Sequence, residues 1–221
     1  MKPKSMIARM VVLSLAVGAE GRVTAAGDQA AKPAKQGGYS LTQLDAGTDL
    51  AAASVVQHMS DNGVLAGDVL SPVDQSFAWS AQTGLVLLAL GGSHSIETAV
   101  SPNGIVTGAS DTAGDAAVRG FVWTVAGGIA EIGNLGGEFT VPQSVNSSGV
   151  VVGDSMTSDG RDHAFVWSAS DGMVEMPSLG RLDSVWTMSA NGSFAGFSSG
   201  KKSIEDQHAV LWAPATPGGV K

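Results

Sequence analysis

Histidines and carboxylates are the side chains of this sequence that could do chemistry. The four histidines, His58, His94, His163 and His208, follow no His-Glu-x-x-His or similar zinc spacing. The one Gly-x-Ser-x-Gly word, from Gly196 to Gly200, opens no helical pattern and is therefore no nucleophile elbow, and no Walker loop or dinucleotide glycine loop is present. Because the chain has no cysteine, it offers neither a thiol nucleophile nor a thiolate metal site. The sequence therefore favours a protein without catalytic chemistry.

Acidic residues collect in loops that could hold a cation. Ca²⁺ takes about 6 to 8 oxygen ligands, which clustered carboxylates can supply. The candidate ligands are Asp111, Asp115, Asp154, Asp159 and Asp162. None of these loops follows an EF-hand register, so we interpret them first as solvated turns and keep a Ca²⁺ site as the alternative.

A fourfold repeat positions these loops. Its marker is a short word that ends in tryptophan, and the tryptophans stand 44, 44 and 45 residues apart. A fixed period of this size is typical of propellers and solenoids. The four copies of the word are Phe77-Ala78-Trp79, Phe121-Val122-Trp123, His163-Ala164-Phe165-Val166-Trp167 and the weakened His208-Ala209-Val210-Leu211-Trp212.

Each repeat predicts four short strands, here called a to d. A tight Asn-Gly or Ser-Gly turn joins strand a to strand b, which carries a Gly-x-x-x-Gly word. Its second glycine predicts a bulge or a close approach of a neighbouring strand; these glycines are Gly67, Gly108, Gly153 and Gly196. In strand c the Phe and Trp are two apart, so both rings share the face between neighbouring sheets. The predicted core rings are Phe77, Trp79, Phe121, Trp123, Phe165, Trp167 and Trp212.

Four strands per repeat predict an all-β fold that resembles a β-propeller with four four-stranded blades. A fragment of a larger propeller or a β-solenoid is the alternative. The repeats cover about 46–92, 93–137, 138–181 and 182–214. The last one lacks strand d, since two prolines follow Trp212 closely. We expect residues 39–44 to supply this strand and close the ring.

The N-terminus predicts export. Three basic residues precede an uncharged run at 10–19, and Val23-Thr24-Ala25 provides small or β-branched residues for cleavage, which is the pattern of a secretory signal peptide. The run is half of the roughly 20 apolar residues that span a bilayer. We expect a signal peptide at 1–25, a flexible leader at 26–38 and a β-repeat domain at 39–221, in a secreted or periplasmic protein.

The charge of the chain argues against two classes of partner. The net charge of −8 becomes −11 without residues 1–25, because that segment holds four basic residues and one acidic residue. An acidic surface repels phosphate backbones, so we expect no nucleic acid partner. No other stretch is long and apolar enough for a membrane span in the mature chain.

One family pattern runs through the third repeat. It comprises a turn from Asn146 to Gly149, the strand word Val151-Val152-Gly153, the word His163-Ala164-Phe165, Gly172-Met173 and Leu179-Gly180. The pattern resembles the HAF-repeat family of bacterial extracellular proteins, and the resemblance covers roughly 39–212. It implies export and a repeated β-fold, and it brings no established enzymatic activity.

Three functions follow as hypotheses. The first is a non-enzymatic binding or interaction module for an extracellular glycan or protein, and a closed ring predicts that it is a monomer. The second is a secreted hydrolase or lyase acting on polysaccharide, since propellers also host enzymes. An inward pair of carboxylates about 5 to 10 Å apart would favour that enzyme, and the sequence shows none. The third is a structural repeat unit that assembles with other chains.

Overall fold

Strands make up nearly all of the regular structure in this computed structural model, which describes residues 35–36, 39–44, 54–70 and 74–214. The predicted all-β class is confirmed, and the one other regular element there is a short 3-10 turn at Ala113–Asp115.

Two short strands come first, β1 (Lys35–Gln36) and β2 (Tyr39–Ser40). Unit 1 contains β3 (Ser54–Met59), β4 (Leu65–Val69), β5 (Gln75–Ser80) and β6 (Gly84–Leu88). Unit 2 contains β7 (Gly91–Val100), β8 (Val106–Thr112), β9 (Val118–Thr124) and β10 (Gly128–Glu131). Unit 3 contains β11 (Gly136–Val145), β12 (Val151–Thr157), β13 (Asp162–Ser168) and β14 (Gly172–Glu175). Unit 4 contains β15 (Gly180–Met188), β16 (Phe194–Gly200) and β17 (Gln207–Trp212).

Each unit is an antiparallel sheet in which strands pair in chain order. Units 2 and 3 are joined by one parallel pairing, between Phe139 of β11 and Val118 of β9. The first strand of each later unit lies against the unit before it: β7 contacts β3 to β5, β11 contacts β7 to β9, and β15 contacts β11 to β13. The units therefore follow one another in space as they do in sequence.

The expected closure by the N-terminal strand is wrong for the described chain. Tyr39–Ser40 pairs with Lys35–Gln36, and the sheet of unit 4 has only the three strands β15 to β17. A pairing between strands two residues apart closes a much shorter loop than a pairing across the whole domain, so it costs less entropy. The described residues accordingly show no closed ring.

A glycine of strand b lies against the backbone of strand a in every unit. A Cβ atom added to Gly153 would come within 2.2 Å of the Val141 carbonyl oxygen, and one added to Gly196 within 1.8 Å of that of Ser184. Only glycine, which has no Cβ atom, fits so close to the backbone of strand a. The predicted close approach is confirmed, and the bulge lies in strand a, just beyond this contact, and not at the glycine of strand b. The extra residues of the four bulges are Gln57, Thr98, Gln143 and Trp186.

Rings of strand c fill the space between consecutive units. Phe121 and Trp123 of unit 2 share a buried cluster with Ala78 of unit 1. Phe165 of unit 3 packs in the same way with Ile132 of unit 2. Large rings therefore face small or aliphatic side chains, which lets neighbouring sheets come together without voids. Of the predicted core rings, those buried are Phe77, Phe121, Trp123, Phe165 and Trp212, and those half-buried are Trp79 and Trp167.

Buried serines of strand b bind the backbone that follows strand d of the unit before. The hydroxyl of Ser110 accepts the Leu90 N–H at 2.9 Å, and that of Ser155 accepts the Leu135 N–H at 3.1 Å. The chain consequently leaves strand d early, at Leu88, Glu131 or Glu175. The pairs Gly91-Gly92 and Gly136-Gly137, which end the first two predicted repeats, instead begin the strands β7 and β11 of the next units.

The predicted signal peptide, residues 1–25, lies outside the described residues. Of the predicted leader, Lys35–Gln36 is described, as the strand β1. Within the ranges that the structure describes, no helix has the length and apolar character needed to cross a membrane.

Replacing Gly153 by Ala should lower the free energy of unfolding by about 1 to 3 kcal/mol or more. The added Cβ meets the Val141 carbonyl oxygen at 2.2 Å and the Pro142 Cα at 2.7 Å, and backbone cannot move aside as a flexible side chain would. Urea denaturation measures the change. The control is Gly128→Asn, at φ +68° with no atom within 4 Å of an added Cβ, which should cost less than about 1 kcal/mol. Equal midpoints for Gly153→Ala and the wild type would contradict the close approach.

Candidate functional site

Each histidine lies beside a carboxylate. The pairs and their N to O distances are His58–Glu97 (2.7 Å), His94–Asp111 (3.1 Å), His163–Glu175 (2.7 Å) and His208–Asp206 (3.2 Å). The four histidines belong to four different units. They therefore make four separate polar contacts and do not form one shared reactive centre.

The structure spreads the five predicted calcium ligands over separate places. Asp111 lies inside β8 and faces His94, while Asp115 accepts hydrogen bonds from the N–H and the hydroxyl of Ser93, each at 2.8 Å. The other three are Asp154 inside β12, Asp159 on an exposed turn and Asp162 at the start of β13. In the described ranges no three His, Cys, Asp or Glu side chains are grouped so that they could hold a metal ion. The calcium hypothesis finds no site among them.

The first residue of the His-Ala-Phe word pairs with strand d. His163 Nδ1 lies 2.7 Å from Glu175 Oε1, and at the same repeat position Arg119 Nε lies 3.6 Å from Glu131 Oε1. In unit 1 this position holds the uncharged Gln75, and strand d has a leucine in place of the acid. The position thus serves charge pairing between strands c and d. The sequence signal for it is a basic and an acidic residue 12 apart in both units.

Buried carboxylates join units 1 and 2. Asp68 Oδ1 accepts a hydrogen bond from the Glu97 N–H at 3.3 Å, and Asp68 Oδ2 accepts one from Gln57 Nε2. The Glu97 side chain is 0% exposed, with its Oε1 atom 2.7 Å from His58 Nδ1. Burial, with a smaller contribution from the charge of Asp68, raises the pKa of Glu97 to about 8. Burial also raises the pKa of Asp68.

A second buried carboxylate joins units 3 and 4. Asp154 Oδ1 accepts the Val185 N–H at 2.7 Å, and Asp154 Oδ2 accepts the Ser184 hydroxyl at 3.1 Å. Burial raises the pKa of Asp154 to about 7, against the opposing effect of these hydrogen bonds and of one from Gln143. The charge of Asp162 raises this pKa further.

These two carboxylates occupy one repeat position, directly after the glycine of strand b. Asp154 lies inside β12 and not in the loop where the sequence placed it, and Asp68 lies in the same way inside β4. Both bind a backbone N–H of the next strand a, so their role is to hold consecutive sheets together. Unit 2 has Ala109 at this position, and its junction with unit 3 is the apolar cluster of Ala109, Val118 and Val141.

A groove of about 770 Å³ opens between units 3 and 4, at the end of the sheets that carries the turns between strands a and b. Phe194 and Trp212 form part of its wall and stack with their ring centroids 5.1 Å apart. The indole Nε1 of Trp212 donates to the Pro177 carbonyl oxygen at 2.8 Å, which fixes the ring. Further apolar walls are Val166, Met176 and Val210, and the polar rim is Asn146, Ser148, Ser178 and Asn191. No charged side chain lines it among the described residues.

The turns explain part of the opening. Asn62 Nδ2 donates to the Asn103 carbonyl oxygen at 2.8 Å, and Asn103 Nδ2 donates to the Ser147 carbonyl oxygen at 2.9 Å. Side-chain amides therefore tie the turn of unit 1 to that of unit 2, and the turn of unit 2 to that of unit 3. Unit 3 has Ser148 where the other units have asparagine, and a serine hydroxyl is too short to reach the turn of unit 4.

Strand c explains the rest. Val210 lies opposite Gly196, the register that Phe165 holds opposite Gly153 in unit 3. Unit 4 thus has a valine where the other three units have a buried phenylalanine, so strand c carries less bulk beside Trp212. It carries a ring on strand b instead, since Phe194 stands where the other units have leucine or valine. The weakened word of the fourth repeat was the one sequence signal for this difference, and it did not predict a groove.

Comparison with known proteins assigns no family to the chain. No protein-family model matches it, and no curated protein matches its sequence. Its function has to be inferred from the junctions and the groove themselves.

The free energy of unfolding should fall as the pH rises from about 5 to about 8. Glu97 and Asp154 keep their protons up to about pH 8 and about pH 7 in the folded state, but ionise near their ordinary values of 4.5 and 3.8 once unfolded. The folded state therefore binds more protons across this range, and each rise in pH favours unfolding. Urea denaturation at several pH values measures the slope.

The double variant Glu97→Gln/Asp154→Asn should flatten this pH profile, because both titrating groups are gone. Asp171→Asn is the control, since hydrogen bonds from Ser168 and Ser170 lower the pKa of this exposed carboxyl and keep its titration below the range tested. A wild-type stability that rises between about pH 5 and about pH 8 would rule out buried protonated carboxyls at the junctions.

Proposed function

We propose that this chain is an exported, non-enzymatic binding module whose ligand lies in the groove between units 3 and 4. One observation carries the proposal: this junction lacks both devices that close the other two. The amide bond between turns ends at Ser148, and Val210 replaces the phenylalanine of strand c. Two independent changes at one junction produce a single groove of about 770 Å³, within the usual size range of ligand sites.

The chemistry of the groove favours binding over hydrolysis. Its described lining holds apolar side chains, amides and hydroxyls, but no carboxylate or histidine that could act as general acid or base. The buried carboxylates Asp68, Glu97 and Asp154 are instead engaged at the junctions between sheets. The part of a ligand that fits inside the groove is uncharged and largely apolar, with groups at one side that can bond the amide and hydroxyl rim.

Export and architecture belong to the same proposal. The basic and apolar N-terminal pattern and the resemblance to the HAF-repeat family support a secreted or periplasmic location. Contacts between successive first strands, from β3 to β7, β11 and β15, support an open array of four propeller-like blades. Ligands of such arrays meet the sheets at their ends, where this groove lies.

A thermal-shift screen tests the groove. The purified chain is heated with uncharged aliphatic peptides and with neutral oligosaccharides, because a ligand that binds only the folded state raises the melting temperature. At about 100 times its dissociation constant a ligand adds about 2.7 kcal/mol of stability. Val210→Phe restores the residue of the other units and should abolish the shift while leaving the variant as stable as the wild type or more so.

The matched control is Val174→Phe, the same enlargement at a strand d position that is 44% exposed and does not line the groove. It should keep the ligand-induced shift. A shift that survives Val210→Phe would place the site elsewhere. Release of reducing ends from an oligosaccharide during incubation would favour the secreted glycosidase or lyase.

A further inference from the structure

The sheet of unit 4 ends at an unpaired strand c. In units 1 to 3 the strands β6, β10 and β14 pair antiparallel along strand c. In the part of the chain that the structure describes, β17 pairs with β16 alone. The second edge of β17 thus presents backbone N–H and C=O groups to which another strand can add.

The groove is the place where a side chain of the missing strand belongs. Ile129 of β10 lies opposite Trp123 and packs in the cluster between units 1 and 2. Met173 of β14 lies opposite Trp167 and packs in the cluster between units 2 and 3. In unit 4 the equivalent ring, Trp212, lines the groove, and the described chain has no strand d residue opposite it.

We propose that the partner is an extended segment of another protein, which adds to β17 as the fourth strand of unit 4 and fills the groove with its second side chain. The inference rests on the function proposed above and names its ligand class. Added strands gain affinity from main-chain hydrogen bonds and specificity from pockets for alternate side chains. Strand d pairs with strand c in units 1 to 3, and the segment extends this pairing to unit 4.

The strands d of this chain describe the sequence that such a segment needs. They read Gly84-Leu-Val-Leu-Leu88, Gly128-Ile-Ala-Glu-Ile132 and Gly172-Met-Val-Glu-Met176. The second residue faces the preceding unit, and the fifth is buried on the opposite face or packs there, as Leu88 does beside Ala78. The pattern is a glycine, an apolar residue, a spacer, an acidic or apolar residue and a second apolar residue.

The acidic residue has a counterpart on β17. Glu175 of β14 pairs with His163 at 2.7 Å. His208 holds the same repeat position, opposite Ser198 as His163 is opposite Ser155. It is exposed and contacts Asp206 at 3.2 Å. A segment with glutamate as its fourth residue would meet this imidazole across the new strand pair.

A peptide copy of residues 172–177 (Gly-Met-Val-Glu-Met-Pro) is the probe. Carrying a dye, it is titrated with the full chain, and fluorescence anisotropy reports binding. Amide hydrogen exchange is measured with and without unlabelled peptide. The expected results are saturable binding and slower exchange along Gln207–Trp212, because new interstrand hydrogen bonds protect this edge.

Matched variants test each side of the contact. Changing the second residue of the peptide from methionine to serine should weaken binding about tenfold or more, since its side chain no longer fills an apolar site. Moving the pattern by one residue should abolish binding, since it turns the apolar side chains to the wrong face. On the protein, Val174→Phe should leave binding unchanged, and so should Val210→Phe, because the strand c phenylalanine and the second residue of strand d pack together in units 2 and 3.

The outcomes separate this inference from the proposed function. If the peptide fails to bind while a neutral compound shifts the melting temperature and loses that shift in Val210→Phe, the groove is a binding site but not an acceptor of a strand. If neither peptide nor compound binds, both proposals fail. Binding with unchanged exchange along β17, or binding that does not depend on the second side chain of the peptide, also overturns the added strand.

Discussion

The contact between a strand b glycine and the backbone of strand a is the constraint on which the other features depend. At Gly67 and Gly196 an added Cβ would lie 1.9 and 1.8 Å from a carbonyl oxygen, so strands a and b can come this close only where a side chain is absent. The bulge of strand a lies next to this contact in all four units. In units 1 and 3 the bulged residues, Gln57 and Gln143, bind the aspartate that follows the glycine. That aspartate then accepts a backbone N–H of the next unit. The backbone contact inside one unit thereby positions the aspartate that binds the next unit.

All four units keep the glycine contact and the bulge of strand a, but the side chains at the bulge and directly after the glycine differ between units. Unit 2 combines Thr98 with Ala109, and its junction is apolar. Unit 4 combines Trp186 with Phe197, and Trp186 is 73% exposed. A buried hydrogen-bonded carboxylate is specific in direction but expensive to desolvate, whereas an apolar contact carries no such cost. The same glycine and bulge therefore occur with a polar side chain after the glycine in units 1 and 3 and with an apolar one in unit 2. In unit 4 they leave Trp186 exposed to water.

The sequence predicted the period, the glycine contact and the rings between sheets, because each depends on residue types repeated at fixed spacing. It could not predict that Asp68 and Asp154 lie at junctions between units, half-buried and buried respectively. Aspartate after a glycine reads as a turn, and only the next unit, about 30 residues further along, supplies the N–H groups that it binds. The error at residues 39–44 has a related origin. The sequence shows that a strand is missing from unit 4, but not that Tyr39–Ser40 has a closer partner in Lys35–Gln36.

The junction of units 3 and 4 leaves apolar side chains in contact with water. Here the apolar side chains Val166, Met176 and Val210 line a groove open to water, and exposed apolar surface forgoes roughly 25 cal/mol of stability per Å². Asparagine at position 148 and phenylalanine at position 210 would close the groove, and the chain already has these residue types at the same places in its other units. Two residue types that the other units already use would avoid this loss of stability. Exposed apolar surface beside an unpaired strand edge is what we expect of a surface that a ligand covers.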